Sequence, residues 1–305
     1  MSKYIIKSTL AALITFYIVI TITFFLMQAV PGGPFTSERP RPEYEAAMRL
    51  KYGLDQPVGF QYLNYIKAMV QGDLGISYKA KQGYPVAEII TGYFPMSFRI
   101  GIFAFAFAVI VGIPLGIFAA LKSGSWIDRA IVFFCSFGIS VPSFILATVM
   151  ILVFGVNLKW LPFMGIKSWM SYIMPVFCMG VYPMAFIVRL MRSNMLDVLG
   201  QDYIKTARAK GLPERKVLYK HALRNAMLPV ITYLGPLLAG IITGSFTIEK
   251  IFTIPGLGKF FIDAISARDY PMIMGTTIFY GFFLLAANLV VDLLYGVVDP
   301  RIKRT

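Results

Sequence analysis

Charge is what this sequence has least of. Only 14% of its 305 residues are Asp, Glu, Lys or Arg, while 57% are hydrophobic. Soluble domains carry about 25% charged and about 45–50% apolar residues. Too few charges remain to cover a water-facing surface, so lipid must be one of the solvents. Cysteine is also scarce: Cys135 and Cys178 lie inside apolar stretches with no metal-like neighbour. They read as small buried hydrophobes, not as a disulfide. The single histidine, His221, sits beside Lys220 and near Arg224, so no Ser/His/Asp set is suggested. There is no H-E-x-x-H, no Cys/His cluster and no G-x-x-x-x-G-K-[ST]. The nearest approach to the last, Pro255-Gly256-Leu257-Gly258-Lys259, lacks the first glycine and the Ser/Thr. The expectation is a chain with no catalytic residues, no metal ligands and no cofactor of its own.

Acidic residues number 15 against 29 basic ones, a net charge of +14. In a soluble chain this points to nucleic acid. Membrane proteins gather Lys and Arg in cytoplasmic loops, so here the balance points to membrane lipid and no nucleic acid.

Six stretches lack charge for long enough to span a bilayer, which takes about 20 apolar residues. They are Leu10–Val30, Ile100–Leu121, Ala130–Leu158, Ser168–Val188, Asn225–Ile248 and Tyr270–Val291. Kinks are expected at Pro142, Pro175 and Pro183. The first stretch follows Lys3 and Lys7 but exceeds the roughly 7–15 residues of a signal core, so it reads as a retained anchor. Arg189, Arg192, Lys205, Arg208, Lys210, Arg215, Lys216, Lys220 and Arg224 crowd the segment between the fourth and fifth stretches. With six spans this segment, the Lys122/Arg129 link and the tail (Arg301, Lys303, Arg304) share one side with the N-terminus. The positive-inside bias makes that side cytoplasmic. Five spans would separate the tail from the basic loop.

The fold expected is all-α and polytopic. It has an N-terminal spanning helix over 1–30 and an outer segment with short helices over 31–96. A five-helix core over 97–298 contains a cytoplasmic loop, 192–225, and a cytoplasmic tail covers 299–305. Within the outer segment Pro31-Gly32-Gly33-Pro34 stops the first helix, amphipathic runs lie near Tyr44–Tyr52 and Gln61–Val70, and Gly72-Asp73-Leu74-Gly75 reads as a turn.

Few polar groups interrupt the spans. Asn288 and Asp292 share a face near the inner end of the last one, which favours a structural contact over a mid-membrane ion site. Gly112/Gly116 and Gly240/Gly244 have the spacing for close helix packing. Thr232, Thr243, Ser245 and Thr247 either line a pathway for a polar solute or bond back to their own helix carbonyls.

The strongest feature is the basic segment itself. Residues 202–210 suit a helix, and Gly211 suits its stop, with basic residues in the last turn. Pro213 and Glu214 suit the first turn of a second helix. Ala207, Ala209 and Gly211 are small enough to enter a partner's groove. An ordinary charged loop is the equal alternative on pattern alone.

This segment resembles the E-A-A, x3, Gly, x9, I-x-L-P motif of ATP-binding-cassette importer permeases. Gly211, Ala207 and Leu223 match. Lys205, Thr206, His221 and Arg224 depart from it. The likeness to the peptide-permease branch is closer. It runs through Thr206–Leu212, His221–Ala226 with Leu228-Pro229, Gly72–Ser77, Ile254–Gly258 with Arg268-Asp269-Tyr270-Pro271, and Asp299-Pro300-Arg301. The opening Pro31–Thr36 with Glu38-Arg39 is similar to the B subunits of oligopeptide permeases in particular. The resemblance implies a type I importer permease of the bacterial inner membrane. It would pair with a second, homologous permease, two cytoplasmic ATPases that use ATP and Mg, and an extracytoplasmic peptide-binding protein. It also implies that Tyr203, Lys205, Thr206, Ala207, Arg208, Ala209, Lys210, Gly211, Leu212, Pro213 and Glu214 form the helix that couples to an ATPase. Dipeptide and nickel permeases share the branch. An ion-coupled secondary transporter would show inverted repeats and mid-span carboxylates, and a membrane-embedded enzyme would need a nucleophile–base or metal set. The sequence displays neither.

Overall fold

The computed structural model describes the backbone of residues 2–29, 50, 53 and 55–298, and the side chains of 9–29, 50, 53 and 55–289. The 31–36 and Glu38-Arg39 motif, most of the Tyr44–Tyr52 run, the Asp292 side chain and the tail from Asp299 lie outside the described residues. The helices are α1 (Ser2–Ala29), α2 (Val58–Val70), α3 (Val86–Leu121), α4 (Trp126–Ser140), α5 (Ser143–Met150), α6 (Ile173–Leu199), α7 (Asp202–Ala209), α8 (Glu214–Lys216), α9 (Leu223–Ile241), α10 (Phe246–Ile251), α11 (Leu257–Ala267) and α12 (Tyr270–Val298). Among the described residues the β structure is one isolated bridge, Ile76 to Pro85. The fold is all-α.

The chain divides into two compact units, residues 1–96 with 255–289 and residues 97–254 with 290–305. The first unit holds α1, α2, the start of α3, α11 and α12. Ile20 and Phe24 of α1 pack with Met274 and Ile278 of α12, under Tyr62 and Tyr65 of α2. Most of the described length of α1 is only partly covered. Only 17% of its most apolar window is buried, and Leu13 is 59% exposed. A helix apolar all round yet unburied needs an apolar solvent around it. A second cluster joins Val86, Ile89 and Ile90 to Leu257, Ala264 and Met272.

In the second unit α6 is the element the others pack on. Met174, Cys178, Ala185, Ile187, Val188, Met191 and Met195 are buried along it. Gly112 and Gly116 of α3 let it approach. A Cβ at Gly112 would lie 3.0 Å from Met184 O, and one at Gly116 would lie 2.7 Å from Met191 Cβ and 2.8 Å from Val188 O. These glycines serve packing within the chain.

Among the described residues four helices are long and apolar enough to cross a bilayer, or five if the bent pair α4 and α5 is one span. The 19-residue α9 is the sixth candidate, made less apolar by Arg224, Asn225, Pro229 and Pro236. The kink expected at Pro142 is a sharp break: α4 and the helix that starts at Ser143 meet at 103°. Pro142 has no N–H for the carbonyl of Gly138, and the residue before it, Val141, leaves the helical region (φ −85°, ψ 119°). Pro175 falls in the first turn of α6, where the missing donor costs nothing, and Pro183 sits inside the uninterrupted helix. The expected fifth span ends early, at Ile241, because Gly244 (φ +85°) turns the chain into α10. The second begins early, at Val86.

Replacing Gly116 with Leu is expected to destabilise the solubilised protein by about 1–3 kcal/mol through overpacking against α6, measured as a lowered thermal midpoint. Gly240, whose added Cβ would meet nothing within 4 Å, should tolerate Ala at this midpoint.

Candidate functional site

The basic segment folds as the spacing predicts, with one reversal. In α7 the side chains of Ile204 and Ala207 are buried in the chain's own core, in one apolar cluster with Val217, Ala222 and Ala226, Met191 and Met195 of α6, and Ala120 of α3. Asp202 stands in the first turn, where the helix dipole favours an acid. Its carboxylate accepts from Lys205 Nζ at 2.9 Å, and its carbonyl accepts from Thr206 Oγ1 at 2.9 Å. The helix stops in a Schellman turn. Gly211 takes φ +72°, its N–H donates to Arg208 O at 2.9 Å, and Leu212 N–H donates to Ala207 O at 3.4 Å. Pro213 caps α8 from just outside the helix, one residue earlier than expected. The chain then runs through a π-helical stretch, Val217–Ala222, directly into α9.

Two polar ties close the loop on itself. Arg208 donates from Nη2 to Glu214 Oε1 at 2.7 Å and from Nε to Oε2 at 3.2 Å. Arg208 holds the Glu214 carboxyl below its usual range. A depressed carboxyl contributes above its ordinary value and is lost only as pH falls through the depressed one, so the pair persists at neutral pH. Asn225 Nδ2 donates to Tyr203 OH at 2.7 Å, joining α7 to α9.

Of the eleven candidate coupling residues, Tyr203, Lys205, Thr206, Arg208, Ala209, Lys210, Gly211, Pro213 and Glu214 are exposed together. Leu212 is half-buried, and Ala207 is turned inward. The expectation that Ala207 enters a partner's groove is therefore corrected. Its small side chain lets α7 lie close on its own core.

Three of the candidate pathway hydroxyls make local hydrogen bonds. Thr232 Oγ1 donates to Leu228 O at 3.0 Å and Thr243 Oγ1 to Gly240 O at 2.6 Å, each back into its own helix. Ser245 Oγ accepts from Ile248 N at 3.4 Å and so caps α10. Thr247 is exposed. Ser245 also lines a cavity of about 430 Å³ where α4 breaks from α5, together with Ser140, Pro142 and Tyr182.

Sequence reasoning missed three carboxylates buried among the described residues, Asp128, Asp269 and Glu249 of α10. Asp128, at the start of α4, receives the Arg192 fork at 2.6 and 2.7 Å and Gly124 N–H at 3.0 Å. Its own N–H donates to Ser125 Oγ at 3.3 Å. The Ser-x-x-Asp pattern was the available signal. Asp269, in the first unit, is wholly buried. Its oxygens accept from Ser77 Oγ at 2.5 Å and from the N–H groups of Tyr78, Lys79 and Ala80 at 2.9–3.0 Å. It also caps α12 through Met272 N–H at 3.4 Å. The Gly72–Ser77 and Arg268–Pro271 motifs, distant in sequence, thus meet at one carboxylate.

Residues 112–304 match the family model of the binding-protein-dependent transport system inner membrane component, and residues 1–100 match the model of its N-terminal part. The chain belongs to this family. Within the binding-protein-dependent inner membrane components, the dipeptide transport system permease protein DppB of Bacillus subtilis is 48% identical over 99% of this chain and 98% of its own length. The oligopeptide transport system permease protein OppB of Haemophilus influenzae is 44% identical over 99% of this chain and all of its own length, 100%. A crystal structure of an amino acid ABC transporter with histidines shares the fold at 14% identity. Its TM-score is 0.52, over 68% of this chain and 93% of that one. Family and helices together make this a multi-pass inner-membrane component.

Asp269→Ala should remove the acceptor shared by the Ser77 hydroxyl and the amides of 78–80 and 272. A loss of about 3 kcal/mol or more is expected, read as thermal unfolding in detergent. Asp269→Asn, which keeps one acceptor oxygen, should lose less.

Proposed function

We propose that this chain is a permease subunit of an ATP-driven importer of peptides. It would form the pathway with a second, homologous permease. Two cytoplasmic ATPases using ATP and Mg would drive it, and an extracytoplasmic binding protein would deliver the peptide. Relatives bearing dipeptide and oligopeptide names match equally fully, so the proposal is made for peptides as a class. Both termini and loop 192–225 would face the cytoplasm. The segment 31–96 would face outward, and 299–305 would form the inner tail.

The observation that carries this reading is α7. It is exposed on one face, anchored by Ile204 and Ala207 on the other, and closed by the Gly211 turn. The chain has no phosphate-binding loop of its own, so work must enter from a neighbour, and a short helix with a bare face is a suitable point of entry. An ATPase closing on the Tyr203–Glu214 surface would press Ile204 and Ala207 onto Met191 and Met195. The displacement would then pass into α6 and rock the bundle between inward- and outward-open states. Thr232, Thr243, Ser245 and Thr247 remain the candidate hydroxyls for the path of a polar solute.

The test is reconstitution with the partner subunits. Gly211→Val forces a β-branched residue into a left-handed conformation, at a cost of about 1–2 kcal/mol. It should insert normally yet abolish peptide uptake and its coupling to ATP hydrolysis. Wild-type uptake would refute the coupling role. A membrane-impermeant thiol reagent should reach Lys216→Cys only from the cytoplasmic side, and labelling from outside intact cells would overturn the orientation.

A further inference from the structure

Arg192 lies in the α6 sequence between Met191 and Met195, two members of the apolar cluster that buries Ile204 and Ala207 of α7. Its side chain closes on Asp128. Nε reaches Oδ1 at 2.6 Å and Nη2 reaches Oδ2 at 2.7 Å. The carboxylate is 4% exposed and the guanidinium 27%. Asp128 is fixed in turn by Gly124 N–H and by the Ser125 cap. The same turn of α6 therefore belongs to the apolar cluster that holds α7 and is tied to α4 by a two-point ionic fork.

The two grips differ in kind. Apolar packing, here Ile131, Cys135 and Ile139 of α4 against Ala185 and Val188 of α6, is non-directional and lets helices slide. A bidentate arginine–carboxylate pair fixes distance and angle at once. With the start of α4 pinned, a push on this end of α6 cannot be absorbed as sliding. It must carry α4 as a lever of 15 residues, roughly 22 Å at the helical rise. The far end of that lever is the Val141–Pro142 break, where Ser140, Pro142, Ser143 and Tyr182 line the 430 Å³ cavity.

We propose that Asp128 and Arg192 are positioning residues for transport: the joint through which displacement of the 202–209 helix reaches the bent helix pair and its cavity. This inference rests on the coupling reading of α7 given above.

The experiment uses the complete reconstituted transporter and measures peptide imported per ATP hydrolysed, alongside subunit assembly. Arg192→Lys keeps the charge and removes the fork. Assembly and hydrolysis should stay within about twofold of wild type, while peptide per ATP falls about tenfold, the size expected of a coupling residue. If peptide per ATP is unchanged, or if uptake and hydrolysis fall in proportion, the pair is a fold staple and the proposal is wrong. Asp128→Asn is read the same way should Arg192→Lys not assemble, and failure of both to assemble contradicts the proposal equally. Gly211→Val, run in parallel, separates the two ideas. If it leaves peptide per ATP unchanged, the coupling reading has failed. If it uncouples while Arg192→Lys does not, only the joint has failed.

Discussion

An eight-residue helix cannot hold itself in water, so everything attributed to α7 depends on the burial of Ile204 and Ala207 in the apolar cluster shared with Val217, Ala222 and the Met191 and Met195 side chains of α6. That contact makes the helix exist, fixes which face remains bare, and ties it mechanically to the bundle. The Schellman turn at Gly211 and the Arg208–Glu214 fork shape the exit from α7. The fork is solvent-exposed on both sides and adds little stability of its own. Its role is to hold the return strand of the loop in one direction.

Two caged carboxylates fix what the apolar clusters leave free. In the first unit Asp269 joins the Ser77–Ala80 turn to the start of α12. In the second Asp128 joins the start of α4 to α6. Each is fully supplied with donors, as a charge removed from water must be. The Arg268–Asp269 corner has no glycine: Arg268 itself takes the left-handed conformation, φ +57°, and hands the chain from α11 to α12.

Much of this was legible beforehand. Sparse charge and long apolar runs gave the membrane class and the all-α fold. Gly211 and Pro213 gave the stop and restart around the loop, because those residues have few other uses at such positions. The helix break at Pro142 was legible as a kink, but its 103° angle was not, since angle depends on what packs on both arms. The inward turn of Ala207 was hidden for a similar reason. A small residue suits a partner's groove and its own core equally, and only the neighbours decide. The paired acids were missed because their partners lie far away in sequence. Arg192 was counted as one loop charge among nine, though it belongs to a half-buried ion pair.

The most direct measurement is proximity labelling at α7 in the assembled transporter, using single cysteines and a short bifunctional thiol–amine reagent. The account predicts that Ala209→Cys, on the bare face, captures an ATPase subunit, while Ala207→Cys, on the buried face, does not. Capture from position 207 but not 209, or from neither, would contradict it.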